Sequence, residues 1–271
     1  MDKLKKNAND KIEAIVILAL CAITILFDMV EITYTQDALH NAHISKIVQL
    51  GIGTFTACLL LRRIGAKIFC MPEKWLYLIP CLIVAVDNFQ WSSFLNGNME
   101  LVRTQPIDFI LFGAYCLVVG CFEELLFRGV VFNVVASRFE KNNRGIWKTV
   151  IISSLLFALA HLLNGISFAT ILQVGYTFLT GGLFAFVLLK TKNLFCCAFV
   201  HALYNFCGLL FTKPENMGLG GGVVFDSGTA LTMLIIGVLA GIFVLYSISK
   251  YSIEEQTELY SRLGVKMEEK E

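Results

Sequence analysis

Phe109-Ile110-Leu111-Phe112-Gly113-Ala114-Tyr115-Cys116-Leu117-Val118-Val119-Gly120-Cys121-Phe122-Glu123-Glu124-Leu125-Leu126-Phe127-Arg128-Gly129 runs apolar up to two adjacent acids and then meets an arginine. The hydrophobic stretch around it, 106–137, is long enough to cross a hydrocarbon core of about 30 Å. An uncompensated charge at mid-bilayer costs about 2.5–3.5 kcal/mol on insertion scales, so each of the three ionisable residues needs a reason to be there. On a helix, Glu124 and Arg128 lie four apart and can pair. Glu123 is rotated by about 100° from Glu124, which leaves its carboxylate available for other work.

The rest of the chain reads the same way. Apolar residues make up 56% of the sequence and charged residues 16%, against roughly a quarter charged in a soluble domain. Mean hydropathy is +0.70. The sequence predicts an all-α polytopic transmembrane bundle of about eight spans enclosing a membrane-embedded cavity. The spans fall near 13–32, 45–61, 75–95, 106–137, 146–163, 166–189, 194–212 and 228–249. Lys3, Lys5, Lys6 and Lys11 precede the first apolar stretch, but Asp28 and Glu31 follow it without a small-x-small cleavage site. That pattern reads as a retained first span.

Loop charges give the orientation. With the N-terminus cytoplasmic, that face receives the N-terminal lysines, Arg62, Arg63, Lys67, Lys74, Arg138, Lys141, Arg144, Lys148, Lys190, Lys192, Lys250, Arg262, Lys266 and Lys270. The opposite face receives only Lys46, Arg103 and Lys213. The asymmetry predicts both termini inside, in a cell membrane. Three regions follow: spans one to three over 1–105, a core of spans four to seven over 106–212, and the last span with a tail over 213–271. Glu254, Glu255, Glu258, Glu268, Glu269 and Glu271 read as that solvated tail, and Gly218–Gly222 as an outer loop. A net charge of +1 gives no reason to expect a nucleic-acid partner. The expected partners are the lipid bilayer and a peptide or membrane-protein substrate. The nine cysteines lack metal-knuckle spacing and read as small hydrophobes.

Further ionisable groups lie in later spans. The fifth carries Phe157-Ala158-Leu159-Ala160-His161, and the seventh His201-Ala202-Leu203-Tyr204-Asn205, with His201 and Asn205 on one face. His40 and His43 are expected in an outer loop. A lone intramembrane histidine is more often a satisfied core residue, but here two accompany an unpaired Glu. Counting about 1.5 Å per residue puts Glu123 about 22 Å above Arg138 and His161 about 20 Å above Lys148, whereas His201 stands only about 12 Å beyond Asn193. A carboxylate and an imidazole flanking a water can take its proton and return it to a leaving amine. A second His with an amide can donate to the developing oxyanion. Zn²⁺ held by Glu123, His161 and His201 is the competing reading, since three protein ligands and an open position suit a catalytic zinc. Asp87, with Asn88 and Gln90, lines the cavity, pairs with Arg128 or ends a helix. Gln173 and Tyr176 line the cavity or bond between helices.

Glu-Glu-x-x-x-Arg (Glu123, Glu124, Arg128), Phe-x-x-x-His (Phe157, His161) and His-x-x-x-Asn (His201, Asn205) occur in that order on successive hydrophobic segments. Over about residues 106–210 this resembles the CPBP, or Abi, family of intramembrane endopeptidases, which includes the type II CAAX prenyl endopeptidases. The stretch Gly181-Gly182 through Lys190-Thr191-Lys192-Asn193-Leu194 is also similar to the family's approach to its last motif. The resemblance implies an all-helical membrane fold with a conical cavity. It implies that Glu123 and His161 activate water, that His201 and Asn205 stabilise the oxyanion, and that Glu124 and Arg128 support them. Members are often classed as metallopeptidases, but this Glu/His scheme requires no cofactor and is the preferred expectation. Two other classes remain open: a peptide-binding immunity or scaffold protein, and a transporter with a Glu/His proton relay. The intact Glu/His/His/Asn set argues against the first. The transporter expects paired half-helices and internal symmetry, which the sequence does not show.

Overall fold

A computed structural model of the protein describes residues 2–30, 32–97, 103–164, 166, 168–211 and 227–265. Among them the chain is all-helical, and the one extended pairing is a β-bridge between Phe69 and Asn193. The helices are α1 (Asp2–Asp28), α2 (Ala38–Arg63), α3 (Leu78–Asp87), α4 (Trp91–Leu95), α5 (Pro106–Glu124), α6 (Phe132–Ala136), α7 (Asn143–Ala160), α8 (Phe168–Thr191), α9 (Leu194–Leu209), α10 (Ser227–Ser249) and α11 (Ile253–Arg262). A π-helical turn, Leu125–Val131, joins α5 to α6. The predicted outer loop around Gly218–Gly222 lies outside the described residues.

Local sequence accounts for the helix starts. Asp37, Asn142 and Asn193 each place a side-chain oxygen on a first-turn N–H of α2, α7 and α9, satisfying a donor that a helix end leaves orphaned. Pro106 opens α5, and Asp108 accepts from the Thr104 and Gln105 amides at 2.9 Å each.

Four described helical stretches are long and apolar enough to cross a membrane: Ala38–Arg63, Pro106–Ala136, Asn143–Leu163 and Thr170–Thr191. A fifth follows if Ile235–Ser249 and Ile253–Arg262, bent by 100°, count together. The remaining three expected spans are helical over shorter apolar lengths, at Ile15–Asp28, Trp75–Asp87 and Leu194–Leu209. Leu194–Leu209 rises only about 24 Å, less than a hydrocarbon core of about 30 Å. The third breaks between Asp87 and Trp91, where Asn88, Phe89 and Gln90 interrupt the apolar run.

Two expectations are corrected. His40 and His43 belong to the first turns of α2 rather than to a loop. His43 is fully buried edge-on to Phe112 and Tyr115, and His40 reaches Asp108 at 2.8 Å. The tail is also not uniformly solvated. Ser252 and Glu255 form a capping box that starts α11, whose Leu259 and Tyr260 are buried together with Leu263. Ion pairs then clamp it: Lys192 bonds Glu73 at 2.8 Å and also Glu258, Arg262 bonds both of these acids, and Lys74 bonds Glu255. The Lys192 ammonium holds the Glu258 carboxyl well below the usual carboxylate range. Lys192 itself has φ 52, the left-handed conformation that turns the chain from α8 into α9.

Two of the three positive residues expected outside have defined partners. Lys46 pairs with Asp28 at 2.8 Å. Arg103 is fully buried with its guanidinium 3.8 Å above the Phe112 ring, and donates to the Leu209 and Leu210 carbonyls at the end of α9, where a cation offsets the helix dipole.

The core of the site depends on how closely α5 approaches α9. Gly120 makes that approach possible. A Cβ there would stand 2.6 Å from the Ala198 carbonyl oxygen and 2.9 Å from the Ala202 nitrogen, closer than real side chains come. The bare backbone brings the next turn of α5, with Glu123 and Glu124, level with His201.

Candidate active site

Glu124 is fully buried where α5 passes into the π turn, and one of its oxygens, Oε1, accepts two hydrogen bonds. Arg128 Nη1 donates at 3.0 Å and His201 Nδ1 at 2.8 Å. The expected Glu124–Arg128 pair therefore forms, but it does not stand apart from the other motif residues. The pair keeps the i, i+4 spacing at the start of the π turn. Arg128 is fully buried with its guanidinium carbon 4.1 Å above the Phe157 ring and 5.3 Å from Phe184. Cation–π contact thus complements the single carboxylate. Gly181 leaves room on the other side, since a Cβ there would meet Arg128 Nη2 at 3.1 Å.

His201 is held on three sides. Phe184 stacks on its ring at 4.6 Å and 19°, and Phe157 meets it edge-on at 5.9 Å. Because the paired carboxylate can only accept, Nδ1 carries the proton in that bond. Nε2 is left facing Glu123, whose Oε2 is 3.6 Å away. That distance is an electrostatic contact rather than a hydrogen bond. Glu123 Oε2 is buried and has no hydrogen-bond partner.

His161 lies just beyond the last residue of α7, on a short 3₁₀ turn, and its Nδ1 is 3.0 Å from the Phe157 carbonyl. A carbonyl only accepts, so Nδ1–H donates and Nε2 of the neutral ring presents a lone pair. The Phe157 ring lies edge-on to His161 at 5.0 Å, so one aromatic side chain buttresses both histidines.

A cavity of about 110 Å³ opens beside the two histidines. His161, His201 and Asn205 line it, with Gln173 and Tyr176, which the sequence reading had flagged as candidates. Asn88 and Gln90 line it too, whereas Asp87 turns into a neighbouring apolar groove with Ile83, Val86 and Trp91. The carboxylate paired with Arg128 is Glu124. Glu123, Glu124 and Arg128 are not among the lining residues; Glu124 and Arg128 stand on the Nδ1 side of His201 and Glu123 on its Nε2 side.

For zinc, the donor set would be Glu123, His161 and His201. Among the described residues no three His, Cys, Asp or Glu side chains converge as a group able to hold a metal ion. His201 Nδ1 bonds Glu124, which leaves its Nε2 3.6 Å from Glu123 Oε2. Glu123 and His201 face one another, and His161 is not gathered with them into such a group.

A comparison with protein families finds a match to the model for Type II CAAX prenyl endopeptidase Rce1-like, over residues 105–207. The segment is similar to an Rce1-like domain. It runs from the capping residue of α5 into the last turn of α9 and contains all three motifs. Neither the curated proteins nor the solved structures provide a match. The likeness of this segment to an Rce1-like domain, together with the apolar helices, points to an integral membrane protein. Within that segment, sequence reasoning overlooked Phe184, Thr177 and Thr180. Phe184 sits in a continuous apolar run and nothing in its neighbourhood marks it. The threonines were legible, because Gln173, Tyr176, Thr177 and Thr180 follow the i, i+3, i+4, i+7 spacing of one helix face.

Proposed function

We propose that this protein is an intramembrane endopeptidase that hydrolyses a peptide bond of a membrane-associated substrate with a water activated by Glu123 and His161. His201 and Asn205 receive the oxyanion. The observation that carries this reading is His201. It is oriented by Glu124 at Nδ1, faced by Glu123 at Nε2, and opens with His161 and Asn205 onto one cavity. His161 presents an Nε2 lone pair suited to take a proton, and Glu123 supplies a half-buried carboxylate whose Oε2 is shielded. To donate to an oxyanion, His201 needs a proton on Nε2 as well. With it, the two carboxylates, Arg128 and His201 sum to zero charge, the cheapest state for a buried cluster. Such donors contribute roughly 2.7–4 kcal/mol each when water is excluded.

The test is mass spectrometry of peptides released from membranes that co-express candidate precursors with the wild-type protein or Glu123→Ala. Peptides absent from the variant identify the substrate. Equal release from both refutes the reading and favours a peptide-binding scaffold. Prenylated CAAX proteins and peptide precursors are the first candidates to supply.

Hydrolysis by direct Glu/His action also makes a claim about metal. Activity should survive exhaustive dialysis against chelator, with well under one zinc per chain. His201→Ala should lower turnover by about 10²–10³-fold without altering metal content. Stoichiometric zinc, lost in both His161→Ala and His201→Ala along with activity that added metal restores in the wild type, would overturn the metal-free scheme.

The membrane arrangement that accompanies this reading has eight crossings in a cell membrane with both termini cytoplasmic. Labelling of single cysteines placed between Arg138 and Lys148 should require a membrane-permeant reagent in intact cells. Labelling there by an impermeant reagent would reverse the orientation.

A further inference from the structure

The proposed mechanism leaves one wall of the cavity unused. On α8, Gln173, Tyr176, Thr177 and Thr180 share the face that lines it, while Ile171, Leu172 and Leu179 on other faces are about half exposed. Asn88 and Gln90 extend this wall from the break after α3. Asn88 is fixed there: its Nδ2 donates to the Tyr204 carbonyl at 2.8 Å, and it fills the notch left by Gly208, where a Cβ would stand 2.3 Å from that nitrogen. Polar side chains are expensive between apolar helices, and a row of amides and hydroxyls offers donors and acceptors together. A peptide strand has the same complement, an N–H and a C=O at each residue. A scissile segment must leave the helical state to be attacked, and its freed backbone groups then need partners wherever water is scarce.

We infer that the wall formed by Asn88, Gln90, Gln173, Thr177 and Thr180 binds the unwound main chain of the substrate on either side of the scissile bond. The substrate class is an extended, uncharged peptide segment read through its backbone. The inference rests on the hydrolytic reading above and assigns the substrate side of the same cavity. Tyr176, which bonds Gln173, orders that side chain within the wall.

The probe is a library of uncharged, donor–quencher-labelled peptides, with a matched library carrying N-methyl groups on alternate amides. Both are presented to the full-length protein in nanodiscs. Gln173→Leu with Thr180→Val should raise KM about tenfold, the loss of one or two hydrogen bonds, with kcat within about threefold and an unchanged melting temperature. A fall in kcat at constant KM, or no change in either, overturns the wall. A second arm needs no turnover: a photo-crosslinker at Thr180 in Glu123→Gln protein should capture the plain peptides at least about tenfold more than the N-methylated ones. Equal capture, or none, refutes the inference. Capture with backbone discrimination but no cleavage by the wild type would leave the wall standing and remove the hydrolytic reading. Cleavage by the wild type without discrimination would do the reverse.

Discussion

Glu123→Gln should lower peptide release by about 10²–10⁴-fold, the range for losing a positioned general base, while detergent melting barely moves. The two halves of this result have separate physical grounds. Gln keeps the volume and removes the charge and basicity. The Glu123 carboxylate makes no hydrogen bond at Oε2 and contacts His201 only at 3.6 Å, so little folding energy depends on it. Peptide release and a melting curve on the same preparation check both halves. Wild-type activity in Glu123→Gln would remove this acid from the mechanism. A large drop in melting temperature would make it structural.

Glu124→Gln should do both kinds of damage. The substitution leaves the Arg128 charge without its carboxylate in a fully buried position, and breaking a buried pair costs about 3–5 kcal/mol. Reduced expression and a lower melting temperature are expected. The folded remainder should also turn over slowly, because His201 loses the carboxylate that orients its ring. A double replacement separates the two effects. Glu124→Leu with Arg128→Met removes both charges, and exchanging a whole buried pair for apolar groups is often neutral or stabilising. This double variant should regain melting temperature but not activity. An active double variant would show that the pair serves the fold alone.

That coupling marks the limit of what the sequence made legible. Spacing along one helix is enough to pair Glu124 with Arg128, but it does not reveal which residue of another helix stands opposite. The answer depends on Gly120, whose missing Cβ lets α9 approach until His201 meets Glu124. Counting residues left His201 about 12 Å above Asn193 and shallow relative to the others. The 2.8 Å contact with Glu124 resolves that mismatch directly. The helical segments and three motifs were legible because hydrophobic periodicity and the cost of buried charge are local signals. Docking of α11 was not, since a Glu-rich stretch reads as solvated until Glu73, Lys192 and Arg262 are seen around it. The early start of α2, which carries His40 and His43 into a helix, follows from the Asp37 cap, a signal present in the sequence and passed over.

The π turn at Leu125–Val131 bears on how this helix can be altered. A wide turn holds an extra residue compared with an α-helix of equal height. Deleting a single residue there would let the segment relax into ordinary α-helix without shortening the span. Residues beyond the turn would keep nearly the same faces, because the wide turn and an α-helix one residue shorter cover almost the same arc, but a loss at 125–127 would leave Arg128 three residues from Glu124 instead of four. Helices without such a turn tolerate length changes at their ends. This one can lose a residue at its middle, so among working variants single deletions within 129–131, which leave the Glu124–Arg128 spacing intact, should be commoner than deletions within 125–127.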